Sequence, residues 1–266
     1  MTLTAILILA VIQGLTEFLP VSSSGHLVVA EAMFQSLGWG TVPEKLEVNI
    51  VLHLGTLLSV ILYYWRDIVR LLGSDRRVIP LLVVGTVPAG LVGIGIKKIA
   101  PESWEHALVE TPLLAGCLFP VTAALLIWAN RQPPHEKDYA QLGFRDALLI
   151  GVFQAIAILP GISRSGATIA GGLVMGLRRD ASATFAFLLA IPAIGGAGLL
   201  EALEMLDGEA SATSAGVLAA GFAVSTVVGL AALAALIRFV QRGRLAIFAW
   251  YLVPLGIAVI AWQLLS

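Results

Sequence analysis

This sequence is short of charge. Asp, Glu, Lys and Arg make up 12% of its 266 residues, about half of the roughly 25% usual in a soluble domain. With 58% of the chain hydrophobic and a mean hydropathy of +0.93, an ordinary water-soluble fold is excluded. The net charge of −1 gives no basic field to hold nucleic acid, and none is expected as a partner. A single cysteine, Cys117, excludes a disulfide within one chain. Basic residues are missing from the N-terminal stretch, the first being Lys45. The apolar run 5–12 therefore lacks the basic flank of a secretion signal, and the N-terminus is expected to be retained.

Long apolar runs stand in place of charge. Six are long enough to cross a bilayer, which takes about 20 residues per helix. They cover roughly 46–65, 78–96, 111–130, 181–203, 212–237 and 245–265, and four of them carry no charge over 19 or more residues. Two further regions, 1–38 and 145–178, are apolar but interrupted by polar stretches that echo each other. The first reads Gln13-Gly-Leu-Thr-Glu-Phe-Leu-Pro-Val-Ser-Ser-Ser-Gly25-His26, the second Gln154-Ala-Ile-Ala-Ile-Leu-Pro-Gly-Ile-Ser-Arg-Ser-Gly166-Ala167. In each, Gln precedes Gly by twelve residues and a Pro precedes Ser-x-Ser-Gly. Irregular backbone survives at membrane depth only where protein or a water-filled cavity covers it. Each region is therefore expected to form a re-entrant pair of short helices around a buried polar turn.

Basic loops set the sidedness. Arg66, Arg70, Arg76 and Arg77 mark one loop as cytoplasmic; Arg131, Lys137 and Arg145 mark a second; Arg238, Arg242 and Arg244 mark a third. The acidic stretch 201–209 reads as external. Alternation then makes the first re-entrant pair dip in from outside and the second from the cytoplasm. The expected fold is an all-α polytopic membrane protein, with six transmembrane helices and two re-entrant pairs in an inverted-topology repeat. It would form a single integral membrane domain: repeat 1 about 1–130, a linker 131–144 and repeat 2 about 145–266. Both termini would lie outside. Such repeats place their sites near the midplane, at broken helices.

Ionisable residues at that depth are expensive and usually functional. Glu17, His26 and Arg164 qualify. Arg164 with Ser163, Ser165 and the backbone N–H groups of the helix start from Gly166 onward makes an anion cradle. Glu17 could hold a divalent metal with Gln13, four residues earlier on the same helix face. His26 can move a proton near neutral pH, and a serine hydroxyl can attack phosphorus when a base is near. These parts suit phosphoryl transfer better than acyl transfer, because positive charge and metal are what that transition state needs. Plainer readings stand beside this one. Gln13 and Glu17 could pair with Arg164 only to fix the fold. Ser22 or Ser23 reads as a helix cap. His53 and Asn49, within a span, read as satisfied buried residues or pocket liners. His106 and His135 read as solvated, Glu31 as a surface or pocket-rim residue, and most tryptophans as interface anchors.

At the two motifs the chain closely resembles the undecaprenyl-diphosphate phosphatase family, also called BacA or UppP. The first family motif stands here as Gln13 to His26 and the second, P-G-x-S-R-S-G-A-T, as Pro160 to Thr168. The run Leu54-Gly55-Thr56 and the overall length also fit. The resemblance implies a membrane enzyme that removes the terminal phosphate of undecaprenyl diphosphate, using Mg²⁺ or Ca²⁺, to recycle a carrier lipid for wall polymers. It implies a plasma-membrane location and a site opening to the outer face. Carried over, Gln13 and Glu17 form the acidic motif, with Gln where the family also has Glu. Ser23 is the candidate nucleophile and His26 the candidate general base or acid, though His26 or a water could itself attack. Ser22, Ser24, Ser163, Arg164, Ser165, Gly166 and Thr168 would hold the diphosphate. The lipid and the bilayer are then the partners, with a homodimer also possible. A flippase for the same lipid phosphate is the competing reading. An intramembrane serine protease is disfavoured by Arg164.

Overall fold

A computed structural model describes residues 3–37, 45–99, 101, 107–109, 111–206 and 213–265. Trp39, Trp104, His106 and residues 207–209 of the acidic stretch lie outside them. The described residues are helical apart from turns and one isolated bridge between Lys137 and Leu177. The protein is an all-α polytopic membrane protein.

In chain order the helices are α1 (Leu3–Phe18), α2 (Ser23–Ser36), α3 (Lys45–Tyr63), α4 (Trp65–Leu71), α5 (Ile79–Ile99), α6 (Pro112–Asn130), α7 (Phe144–Ile156), α8 (Arg164–Val174), α9 (Arg179–Leu206), α10 (Ala215–Gln241) and α11 (Ala249–Leu265). Five segments are long and apolar enough to cross a membrane; they contain α5, α6, α9, α10 and α11. A sixth arises if α3 and α4, bent by 75° at their break, form one span. The spans turn large apolar side chains outward, among them Leu91, Val227 and Trp250, the last 84% exposed. An outward apolar face of this kind is what lipid requires.

The remaining four helices are too short to cross. α1, α2, α7 and α8 have 16, 14, 13 and 11 residues, or about 17–24 Å at 1.5 Å per residue, against a hydrocarbon core of about 30 Å. Local sequence stops them. Pro20 and Pro160 follow α1 and α7 and disfavour helical backbone in the residue before. The next helix of each pair then starts on a serine cap: Ser22 Oγ accepts from Gly25 N–H, and Ser163 Oγ accepts from Gly166 N–H. Ser-x-Ser-Gly is thus the same capping device used twice.

Packing fixes where these half-helices sit. α1 and α3 both pack on α10, while α7 and α9 both pack on α5. α6 packs on α11 and also touches α2 and α8. Phe18, Ile150, Ile169, Phe185 and Leu233 belong to the largest buried cluster, so the broken helices are part of the core. At the polar linker, Lys137 Nζ donates to Asp146 Oδ2 at 2.6 Å, and Gly143 N–H donates to the same oxygen, starting α7. Burial alone would raise the Asp146 carboxyl, but these two donors hold it below the ordinary carboxylate range.

Candidate active site

The two polar turns meet backbone to backbone. A Cβ placed on Gly25 would lie 2.7 Å from Gly161 N, and one on Gly161, whose φ is +98°, would lie 2.5 Å from the Ala115 carbonyl. Only glycine fits such a crossing. Ser22 Oγ accepts from Gly161 N–H at 3.0 Å as well as from Gly25 N–H at 3.3 Å, so one hydroxyl ties the turns together. Ser22 itself has φ 73°, and among the described residues no other non-glycine has positive φ. Backbone strain of this kind collects at functional sites. From α6, Thr122 Oγ1 donates to the Gly161 carbonyl at 2.6 Å and accepts from Ser163 N–H at 3.1 Å, bracing the second turn.

Glu17 is the hub of the site. It comes from the last turn of α1 and its side chain is 4% exposed. One carboxylate oxygen is paired with the Arg164 guanidinium at the start of α8. The other accepts from Ser23 Oγ at 2.6 Å and from Gln13 Nε2 at 3.0 Å. His53 Nε2, on α3, stands 3.8 Å from that same oxygen. Groups from α1 itself, the adjacent α2, and the more distant α3 and α8 therefore surround one carboxylate. The first residues of two helices, Ser23 of α2 and Arg164 of α8, both bond to it. Helix N-termini carry partial positive charge, and with Arg164 they favour a phosphate-sized anion at this point.

The other expected site residues divide into two groups. Ser24 lies beside the site, with its hydroxyl 3.4 Å from that of Ser22. Ser163, Ser165 and Thr168 are buried and serve the second turn: Ser163 caps α8, Ser165 lies 3.1 Å from Ser163, and Thr168 Oγ1 donates to the Arg164 carbonyl at 2.8 Å. Gly166 gives its N–H to the cap. His26 lies in α2, but its ring turns toward α11. Its Nδ1 is 2.7 Å from the Ser22 carbonyl and its Nε2 is 2.8 Å from the Tyr251 hydroxyl. The carboxylate in contact with Ser23 is that of Glu17. His53, read from sequence as a satisfied buried residue or pocket liner, stands beside the Glu17 carboxylate, and Thr122 and Tyr251 complete the site without having been assigned a role from sequence. An ionisable residue within a span was the available signal for His53; Thr122 and Tyr251 had none.

The donor set bears on a metal. Among the described residues no group of three His, Cys, Asp or Glu stands close enough to hold one. Glu17 and Gln13 supply one carboxylate and one amide, and Gln13 Oε1 is a buried acceptor without a partner. Mg²⁺ is commonly held by one or two carboxylates together with substrate phosphates and waters. The residues thus fit a divalent cation that arrives with a diphosphate, not one caged by protein alone.

Fold and site define a polytopic membrane protein with a buried carboxylate–guanidinium–serine centre at the junction of two broken helix pairs. The family model described as "Bacitracin resistance protein BacA" matches residues 6–258, and the chain belongs to this family. An undecaprenyl-diphosphatase of Rhodopirellula baltica is 48% identical over 263 residues, covering 98% of each chain. Undecaprenyl-diphosphatases of Desulfosudis oleivorans and Pelotomaculum thermopropionicum are 42% and 37% identical; the first alignment covers 94% of each chain, the second 98% of this one and 96% of its relative.

Proposed function

We propose that the protein is an undecaprenyl-diphosphatase, which hydrolyses the terminal phosphate of a long-chain prenyl diphosphate and leaves the prenyl monophosphate in the membrane for reuse in wall-polymer synthesis. The observation that carries this reading is the bond from Ser23 Oγ to Glu17, on a carboxylate whose other oxygen pairs with Arg164. A carrier for the same lipid would need the anion-binding half alone. A serine seated on a base beside a fixed cation favours chemistry.

In the proposed reaction Arg164 and the starts of α2 and α8 hold the diphosphate. Ser23 Oγ attacks the terminal phosphorus; the Oγ–P bond forms, the bridging P–O bond breaks, and the Ser23 proton passes to Glu17. The prenyl monophosphate leaves. A water then attacks the same phosphorus, the Oγ–P bond breaks, and Glu17 returns its proton to Ser23. The proton the water gives up passes through solvent to Nε2 of His26, in the first turn of α2, whose ring bonds to Ser22 and Tyr251 rather than to Ser23 or Glu17. Gln13 and Glu17 would hold Mg²⁺ or Ca²⁺, which when bound neutralises charge on the diphosphate.

The packing supports a reading as one domain of two repeats, about 1–130 and 145–266. The partnership of α1 and α3 with α10 has its counterpart in that of α7 and α9 with α5. On this reading, with the basic loops inside, both termini lie outside the plasma membrane and the site opens on the outer side, the prenyl tail remaining between helices.

The test is phosphate release from a long-chain prenyl diphosphate by the purified protein in nanodiscs, with Mg²⁺, with Ca²⁺ and with chelator. Cation-dependent release supports the reading. No release by a folded protein that binds the lipid would overturn it.

A further inference from the structure

We propose that Tyr251 is the positioning residue for His26: its hydroxyl fixes the tautomer and ring orientation in which His26 handles a proton. The tautomer follows from the partners. The Ser22 carbonyl, 2.7 Å from Nδ1, can only accept, so Nδ1 carries a hydrogen in every protonation state. Neutral His26 therefore has a bare Nε2, and only there can it gain a proton. The Tyr251 hydroxyl sits on that atom at 2.8 Å and donates to it. When Nε2 becomes protonated the roles reverse, and the Nε2–H donates to the tyrosine oxygen. A hydroxyl serves both states, which a carbonyl or an ammonium would not.

The ring is held as well. The His26 and Tyr251 rings stack with centroids 5.7 Å apart and planes 13° apart, and Phe119 of α6 packs on the imidazole at 5.0 Å and 55°. Two helices outside the motifs thus fix the orientation of a motif residue. Tyr251 is 49% exposed, on the apolar exterior of α11, so His26 is bound from the side that faces lipid. The hydrogen bonds of the His26 ring go to Ser22 and Tyr251, and those of Ser23 and Glu17 to each other, Gln13 and Arg164. The proton traffic of His26 therefore runs through Nε2, the atom that Tyr251 orients. A supporting hydrogen bond that sets a catalytic histidine's tautomer is a known source of reactivity.

The kinetic arm rests on the phosphatase reading; the spectroscopic arm does not. The first measurement is nitrogen-15 NMR of histidine-labelled protein in nanodiscs, wild type against Tyr251→Phe, which keeps the ring and deletes the hydroxyl. Wild type should show neutral His26 as the Nδ1–H tautomer with Nε2 shifted by an accepted hydrogen bond, and Y251F should lose that shift. An Nε2 signal identical in both would overturn the pairing. The second measurement is turnover of prenyl diphosphate: Y251F should lower kcat about tenfold with KM within twofold. In a His26→Ala background the same change should do nothing further, because the hydroxyl acts only through the imidazole. Wild-type kcat in Y251F, or an equal loss in both backgrounds, would overturn the positioning role. If wild type releases no phosphate yet the Nε2 shift is present and is lost in Y251F, the phosphatase reading has failed and the pairing stands.

Discussion

Glu17→Gln separates chemistry from architecture at this site. The side chain keeps its shape but loses its charge. In the native protein one oxygen faces Arg164 and the other accepts from Ser23 and Gln13. In the variant the amide oxygen can still face Arg164, which turns its NH₂ toward Ser23 and Gln13. Gln13 can adapt, because its unpartnered Oε1 becomes an acceptor when the amide flips. Ser23 can accept as well, but its hydrogen is then left without a base. The expected loss of stability is about 1.5–3 kcal/mol, the worth of a hydrogen bond to a charged group. Glu17→Ala strands the Arg164 charge and should cost about 3–5 kcal/mol. Activity should not follow this order. Both variants should lose about 10²–10⁴-fold in kcat/KM, the usual contribution of a positioned base. The assay pairs equilibrium unfolding in mixed micelles with phosphate release. A folded E17Q protein keeping more than a tenth of wild-type kcat/KM would refute the assignment of Glu17 as the base for Ser23.

Other consequences follow from the turns and the linker. Ser22→Ala should remove a cap worth about 1 kcal/mol and leave the buried Gly161 N–H unpaired for about 1–3 kcal/mol more, read as earlier unfolding. Gly161→Ala should be worse than its size suggests, since φ +98° alone strains a side chain by about 1–3 kcal/mol and the Ala115 carbonyl occupies the space; normal expression and stability of G161A would contradict the crossing. Asp146, held low by Lys137 and Gly143 against its partial burial, contributes stability that is present above its unfolded value of about 3.9 and lost as pH falls through the lower folded value. Acid unfolding of Asp146→Asn should therefore be less pH-dependent in that window, by a small amount because the pair is part-exposed.

The spans were legible because lipid admits few polar groups, so hydropathy alone marks α5, α6, α10 and α11. The two broken regions were legible for the converse reason: Pro20, Pro160 and the Ser-x-Ser-Gly turns are polar or helix-breaking residues in an apolar context. Sequence spacing could group Gln13 with Glu17, or Ser23 with His26, because each pair shares a helix. Charge complementarity suggested that Glu17 could pair with Arg164, which it does, but spacing did not say where the hydroxyl and imidazole groups would turn. Ser23 and His26 are three residues apart, yet one turns to Glu17 and the other to Tyr251. That divergence is set by α11 and α6, which carry no motif. His53 reaches the Glu17 carboxylate only because α3 and α1 both pack on α10, a long-range fact absent from local pattern. The hydroxyl of Thr168, a residue the resemblance assigns to the diphosphate, donates to the Arg164 carbonyl of its own helix, a local bond that spacing alone does not reveal.

The central claim is that Ser23, seated on Glu17 where the two turns cross, is the reacting group. The measurement that tests it most directly is the turnover of prenyl diphosphate by Ser23→Ala beside wild type, each in nanodiscs and each shown to be folded. The account predicts that removing one hydroxyl lowers kcat at least a hundredfold while lipid binding is kept. Turnover within a few-fold of wild type would contradict it and pass the attack to a water.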